Sequence, residues 1–442
     1  MSPLDAPLQR LYDIVEYLVD ERLGIIRHVV EIKRESGAPN LFTFYAKACD
    51  TAAFRKSRNF SDGGGASIDR GHAMAKAVGE AVERYCASFY EPDDLLLSPF
   101  KCLPVKAISP DMFALFSEQQ YLTTHFPYHP FNRDTPVRWT PAVEVTSGEQ
   151  CYVPAAMVFV PYHADGHGEA PIVQSISTGL ACHSTFEAAA ISAVCEVIER
   201  DAFTIVWQSK MSPPHIMLNT LSCANTDLVC RFRDSGASVE LLNITLDHGI
   251  PTVLAVLRHT APELPALVFA AAAHLDWETA IRKSLEELAL TLRLGKSLKA
   301  HTPRIQMDSN FTKVVDKSCH VRLYCDHGQS HFADFLFESS RTVDCNELAS
   351  LAMGSFQEDM TTLIDIMRKR LQPVVLADVT TSDIRELGLV VVRAVLPGFH
   401  PLCFGHRLRA LGGLRLWTVP QQLGYPGITQ ETGDNCFPHP YP

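Results

Sequence analysis

The sequence predicts an α+β fold, with mixed or antiparallel sheets and long helices, rather than a doubly wound sheet. Helical and strand patterns are interspersed along the 442 residues without a regular strand–helix–strand rhythm. Three long segments carry helical periodicity, and two of them open behind loops of small and polar residues. Residues 95–170 are rich in proline and aromatics, a composition that suits short strands and turns.

Taken in order, residues 9–23 read as an amphipathic helix, with Leu11, Ile14, Val15, Leu18 and Leu23 near helical spacing. Residues 25–31 and 41–46 read as strands. The segment SDGGGAS (61–67) reads as a loop, followed by a helix from about Asp69 to Tyr90. A second loop, SISTGLACHST (175–185), leads into a helix over about 186–207. Strands follow at 238–244 and 252–258. A third long helix spans 274–297, with Asp276 as its cap. Residues 388–397 read as a buried strand, and the chain closes on FPHPYP. No stretch reads as a linker. We therefore divide the chain into a lead-in, 1–60, belonging to the same unit, and a catalytic domain, 61–442, ending in a proline-rich tail.

A chain that is 46% hydrophobic can bury a large core. Its net charge of −11 argues against a phosphate-backbone surface and so against nucleic acid as partner. A nucleotide remains possible if metal ions bridge carboxylates to phosphates. No signal peptide is recognisable, and no apolar run approaches the roughly 20 residues that span a bilayer. The 13 cysteines are scattered and form no CxxC, which predicts a reduced, cytoplasmic protein.

The chemistry concentrates in a repeat. AVGEAVER (77–84) and AVCEVIER (193–200) agree at five of eight positions. Glu80 maps to Glu196, Glu83 to Glu199 and Arg84 to Arg200. Each glutamate pair is spaced i, i+3, so both carboxylates leave one helical face. An ExxER on a helix is ordinarily a solvated face with weak ion pairs. Here alanine and valine surround both pairs, so the helices are buried. Buried carboxylates cost several kcal/mol unless paired or metal-bound, and one arginine per helix cannot neutralise two of them. Magnesium explains four inward glutamates better than structural ion pairs do. The third helix adds Lys283 and Glu287 at i, i+4, which matter only if that helix joins the other two. Backbone N–H groups at the helix N-termini are a further candidate for holding phosphate.

These stretches resemble the YcaO-domain family. SISTGLACHSTFEAAAISAVCEVIERDAF is similar to that family's signature, GGGASIDRGHAMAKAVGEAVERYCA to its first ATP-site helix, and AAAHLDWETAIRKSLEELA to its third. DVTTSDIRELGLVVVRAVLPGFHPL, GGLRLWTVPQQLG and PHPYP resemble the C-terminal part of the azoline-forming branch, and residues 20–50 its lead-in. The resemblance implies an ATP pocket lined by the long helices, with ATP and Mg2+ as cofactors. It implies Glu80, Glu83, Glu196, Glu199 and Glu287 as metal ligands, Arg200 and Lys283 as phosphate contacts, and Ser184 as a nucleotide contact. The family's acidic residue falls at Ala188. Here the acid is Glu187, a one-residue shift that rotates a nucleotide-contacting carboxylate by about 100°. Pro438, Pro440 and Pro442 match the family's alternating-proline tail, whose end lies at the active site. That makes Pro442, with Arg200, a catalytic candidate; the bland alternative is a frayed terminus.

The implied reaction is ATP-dependent cyclodehydration of Cys, Ser or Thr in a ribosomally made precursor peptide, giving thiazoline or oxazoline. Such peptides include bacteriocins and antibiotics. Thioamide or amidine formation on the same ATP site, or a non-catalytic scaffold subunit, are the alternatives. The implied partners are the precursor peptide, a leader-peptide-binding subunit resembling ubiquitin-activating enzymes, and an FMN-dependent azoline dehydrogenase. A homodimer within a larger complex is expected, with no membrane.

Overall fold

The computed structural model describes residues 6–55, 58–60, 62–164, 166, 168–429 and 431–442. Three sheets carry the fold. The first is antiparallel and orders Ile26–Glu31, Phe42–Ala48 and Asp62–Ser67. The second orders Leu267–Ala273, Thr252–Arg258, Ser238–Asn243, His215–Ile216 and Thr342–Val343, with only its last pair parallel. The third orders Leu96–Pro99, Pro136–Glu144, Val375–Asp378, Val390–Val395 and Leu180–His183, and Glu149–Pro154 joins it on Pro136–Glu144. This is the expected mixed and antiparallel α+β architecture.

The segment expected to be a glycine loop is a strand. Gly63, Gly64 and Gly65 pair with Ala46, Tyr45 and Phe44; Ser61 lies outside the described residues. The glycines serve packing. A Cβ on Gly63 would sit 2.4 Å from the Ala77 carbonyl oxygen, and one on Gly65 would sit 2.0 Å from that of Ala73. Only a strand without side chains can lie this close to helix Arg70–Cys86. The second expected loop also contains a strand, Leu180–His183, paired antiparallel with Val390–Val395. The helix expected to reach residue 23 ends at Leu18. The Asp20 carboxylate accepts the N–H groups of Arg22 and Leu23 at 2.8 Å, a local turn that competes with the helix and leaves Leu23 exposed. Strand Leu267–Ala273, unassigned from the sequence, is buried throughout and runs with alanine on both faces.

Each long helix follows a strand and has its own cap. Asp69 accepts from the His72 N–H, Thr185 from Ala188 and Asp276 from Thr279, each cap worth about 1 kcal/mol. The three strand–helix units close a ring. Helix Arg70–Cys86 packs on strand Leu180–His183, which feeds the second helix, Phe186–Gln208. That helix packs on Leu267–Ala273, which feeds the third, Trp277–His301. The third packs on Asp62–Ser67, which feeds the first. The ring turns the acidic faces of three separate helices toward one region. Among the described residues, no helix is long and apolar enough to cross a membrane.

Candidate active site

The two octapeptides occupy equivalent places. Glu80 accepts the Gly64 N–H at 2.7 Å on one oxygen and Arg84 Nη2 at 2.8 Å on the other. Glu196 accepts the Gly179 N–H at 2.9 Å and Arg200 Nη2 at 3.3 Å. Each first glutamate is thus held between a glycine amide on the incoming strand side and an arginine one turn along its own helix. At Gly179 the backbone has φ +86, and a Cβ would meet the Ala394 carbonyl oxygen at 2.5 Å, so glycine is needed for both conformation and space.

The second glutamates reach elsewhere. Glu83 accepts the Cys182 N–H at 2.8 Å, bridging the first helix to the strand that feeds the second. Glu199 accepts the Tyr441 O–H at 2.6 Å and lies 3.2 Å from Arg200 Nε, an ion pair whose alignment falls short of a hydrogen bond. Burial pushes the Glu83 carboxyl well above its usual range, and Glu80 and Glu196 push it further. Glu199 rises to about 7, again through burial first, with Glu196 adding and Arg200, Tyr441 and Lys283 opposing.

On the third helix, Glu287 is open to solvent yet walled by protein. Desolvation and then Glu80 raise its carboxyl, while Lys76, Arg200 and Lys317 pull it down. Lys283 acts electrostatically on His183, Cys195, Glu199 and His274, which places it between the second and third helices. The side chains of Glu287, Lys283 and Lys317 have no hydrogen-bond or ion-pair partner among the described residues. The third helix therefore joins the other two, and the region holds unpaired charges of both signs.

Among the described residues, no three acidic, histidine or cysteine side chains converge closely enough to hold a metal as placed. The donor set still suits magnesium. Its groups are all carboxylates, and the mutual repulsion that raises Glu83 is what a divalent cation relieves. Ser184 and Glu187 sit at the N-terminal end of the second helix. Glu187 lies nine positions before Glu196, about 13 Å along the axis. Neither side chain makes a hydrogen bond among the described residues, though the Ser184 N–H donates to His183 Nδ1 at 3.1 Å. The caps Asp69 and Thr185 each occupy one helix N-terminal amide that phosphate had been expected to use.

The proline tail is not a frayed end. Buried side chains hold its carbonyls in succession: Trp207 Nε1 donates to Phe437 at 2.9 Å, the Tyr324 hydroxyl to Pro438 at 2.5 Å, and His320 Nδ1 to His439 at 2.7 Å. Tyr441 is 1% exposed. The Arg200 guanidinium lies 4.5 Å above its ring, and Arg200 Nη1 donates to the Pro442 oxygen at 3.3 Å. Arg200 thereby touches Glu196, Glu199, Tyr441 and Pro442 together.

Four residues here were not singled out as site candidates from the sequence. Arg84 is Arg200's counterpart in the repeat. Lys317 opens helix Lys317–Tyr324 behind its cap Asp316 and gives no sequence signal. Tyr441 was hidden between the prolines. Arg393 did leave a signal, as the one charge in the buried strand VVVRAV.

The fold has known counterparts. A heterocyclase solved in complex with substrate and cofactor superposes with a TM-score of 0.79 at 21% identity, covering 98% of this chain and 57% of its own. YcaO from Methanopyrus kandleri, bound with AMPPCP and Mg2+, gives a TM-score of 0.63 at 21% identity, covering 88% of this chain and 90% of its own. An uncharacterised protein of Methanothermobacter thermautotrophicus is 28% identical over 363 residues, 78% of this chain and 85% of that one. The chain thus spans little more than half of the heterocyclase it matches. The family model for YcaO cyclodehydratase, ATP- and Mg2+-binding, matches residues 64–400. That span begins at the glycine that holds Glu80 and encloses all three acidic helices, so the chain belongs to the YcaO cyclodehydratase family.

Proposed function

We propose that the protein is an ATP-dependent cyclodehydratase that converts Cys, Ser or Thr of a ribosomally made peptide to thiazoline or oxazoline. The observation that carries this reading is the ring of three acidic helices, whose five glutamates face unpaired lysines and Arg200. The substrate's side-chain sulfur or oxygen attacks the preceding carbonyl carbon and loses its proton. The resulting oxyanion takes the γ-phosphoryl of ATP, releasing ADP. Phosphate then leaves as the amide nitrogen gives up its proton and the C=N bond forms. Glu80, Glu83, Glu196, Glu199 and Glu287 would hold Mg2+, which supplies positive charge to the phosphates. Arg200 and Lys283 orient phosphate oxygens. We assign Ser184 and Glu187 to the nucleoside end. Pro442, whose oxygen accepts from Arg200 Nη1 at 3.3 Å, is our candidate for taking the proton from the attacking side chain. None of the 13 cysteines has to act as nucleophile, because the substrate brings its own.

We assign residues 1–60 to the same unit as the catalytic domain, since strands Ile26–Glu31 and Phe42–Ala48 complete the sheet of the first acidic helix. A separate leader-binding subunit, an FMN-dependent dehydrogenase and a homodimeric arrangement are proposed partners. Support for partner subunits comes from the E. coli microcin synthetase, solved as the McbBCD complex with pro-MccB17 bound, which superposes with a TM-score of 0.56. All 13 cysteines are free thiols, which favours the cytoplasm.

Mass spectrometry of a candidate precursor peptide incubated with the chain, its partner, ATP and Mg2+ tests the assignment. Loss of one water per ring is expected. Glu196→Gln, which keeps shape and removes charge, should abolish it, and Arg200→Lys should impair it severely because lysine lacks the planar fork. Exchange of oxygen for sulfur would identify a thioamide-forming enzyme instead. Absence of Mg2+-dependent ATP binding would identify a scaffold.

A further inference from the structure

Beside the acidic helices lies a cleft of roughly 730 Å³, counting its open mouth. Its walls are mostly apolar, from Phe113, Leu115, Val173, Phe399 and Leu402 among others, and among the described residues its only cations are Arg200 and Arg393. Val197 and Arg200, one turn apart, bring the second acidic helix to its edge. The cleft therefore meets the proposed metal site through one side chain.

Arg393 is anomalous. It is only 6% exposed and has no ion-pair partner among the described residues. Nη1 donates to the Ile176 carbonyl oxygen at 3.0 Å. Nε is enclosed and without a hydrogen bond, and Nη2 has none among the described residues. Burial lowers its pKa to about 10, and Glu196 is the charge that opposes the fall. A buried guanidinium without a carboxylate is unfavourable by itself. Nε is walled off, so Nη2 is the donor that remains for an oxygen ligand.

We propose that this cleft seats the substrate residue preceding the cyclised Cys, Ser or Thr, with its side chain on the apolar walls and its backbone carbonyl oxygen on Nη2 of Arg393. This rests on the cyclodehydratase reading and adds a subsite to it. The carbonyl oxygen becomes an oxyanion when the neighbouring side chain attacks. A fixed cation in an apolar cleft therefore binds the reacting state more strongly than the ground state. Arg200 stands at the same edge, so the oxygen held by Arg393 faces the side where the phosphoryl group would arrive. The walls predict a preference for Leu, Val or Phe over Asp or Glu before the cyclised residue.

Photocrosslinking of the full chain with the capped dipeptide acetyl-photoleucine-cysteine amide, at millimolar concentration with AMPPNP and Mg2+, tests this. Label should map to segments 113–115, 173–178 or 399–403. Arg393→Gln should lower it about ten-fold or more, the loss of a charge-assisted hydrogen bond, and leave AMPPNP affinity unchanged. Should that variant fail to fold, Val173→Trp, which fills the cleft from its wall, must abolish the label instead. Label elsewhere, label indifferent to the substitution, or weakened AMPPNP binding in Arg393→Gln overturns the proposal. The two readings fail separately. Label in the cleft with no ATP-driven water loss sinks the cyclodehydratase assignment and leaves the peptide subsite standing, whereas ring formation with label elsewhere sinks the subsite alone.

Discussion

Tyr441 shows how a single residue ties the tail to the chemistry. Its hydroxyl donates to Glu199 at 2.6 Å and accepts the Ala271 N–H at 3.0 Å, so one oxygen links the tail, the second acidic helix and the strand that feeds the third. Its ring packs 4.4 Å from that of Phe203. Removing the hydroxyl leaves two buried groups unsatisfied, at a cost of about 1–3 kcal/mol each. Tyr441→Phe should therefore melt at a lower temperature. The hydroxyl also holds the Glu199 carboxyl down, so its loss should move the acid limb of the pH–activity profile upward. A variant with wild-type melting and an unmoved limb would show that the contact contributes nothing. Deleting the whole Pro440–Pro442 segment cannot isolate a catalytic effect, because it also strips a fully buried aromatic from the core.

At the scale of elements, the repeat explains itself through packing. At the first two helices, glycines in the incoming segment let it pass close to the helix, and a glycine amide there reaches the helix's first glutamate. Two glycines separate this role from mere helix composition. Gly65→Ala places a Cβ 2.0 Å from the Ala73 carbonyl oxygen. It should force the strand off the helix, cost more than about 2 kcal/mol, and weaken Mg2+–ATP binding by moving the Gly64 amide from Glu80. Gly79 sits in the middle of the helix, with nothing within 4 Å of its added Cβ. Gly79→Ala should be neutral or stabilise by up to about 1 kcal/mol, since it limits the unfolded chain and favours the helix. Denaturant midpoints of the two variants measure the contrast, and equal destabilisation would refute the close-packing account.

For the whole molecule, the sequence made the helices legible through periodicity and caps, and Asp69, Thr185 and Asp276 mark where they begin. It concealed the short strands before them. DGGGAS carries none of the β-branched or aromatic residues that signal a strand, and its strand character exists only because the helix needs the space. The glutamates were legible as a repeat, but their arrangement was not, since the ring depends on which strand each helix covers. The balance of titrating groups is likewise a property of the folded whole. Burial lowers His183, His248 and His274 to about 4, and His320, His400 and His406 to about 3. The unfolded chain binds more protons at these sites below about pH 6.5, so stability should rise with pH up to that point. Glu83, Glu199 and Glu287 run the other way. Their raised pKa values, about 7 for Glu199, mean that the folded state binds more protons, and stability falls as pH rises toward 7. Above about pH 6.5 the histidines are neutral in both states and the carboxylates act alone. A divalent cation must compete with protons for those carboxylates, so Mg2+ should raise the melting temperature clearly at pH 7.5 and little at pH 5.5. Thermal melts at both values, with and without MgCl2, check this. Equal increments at the two pH values would mean that the cation binds away from the buried glutamates, and the magnesium assignment would fail with them.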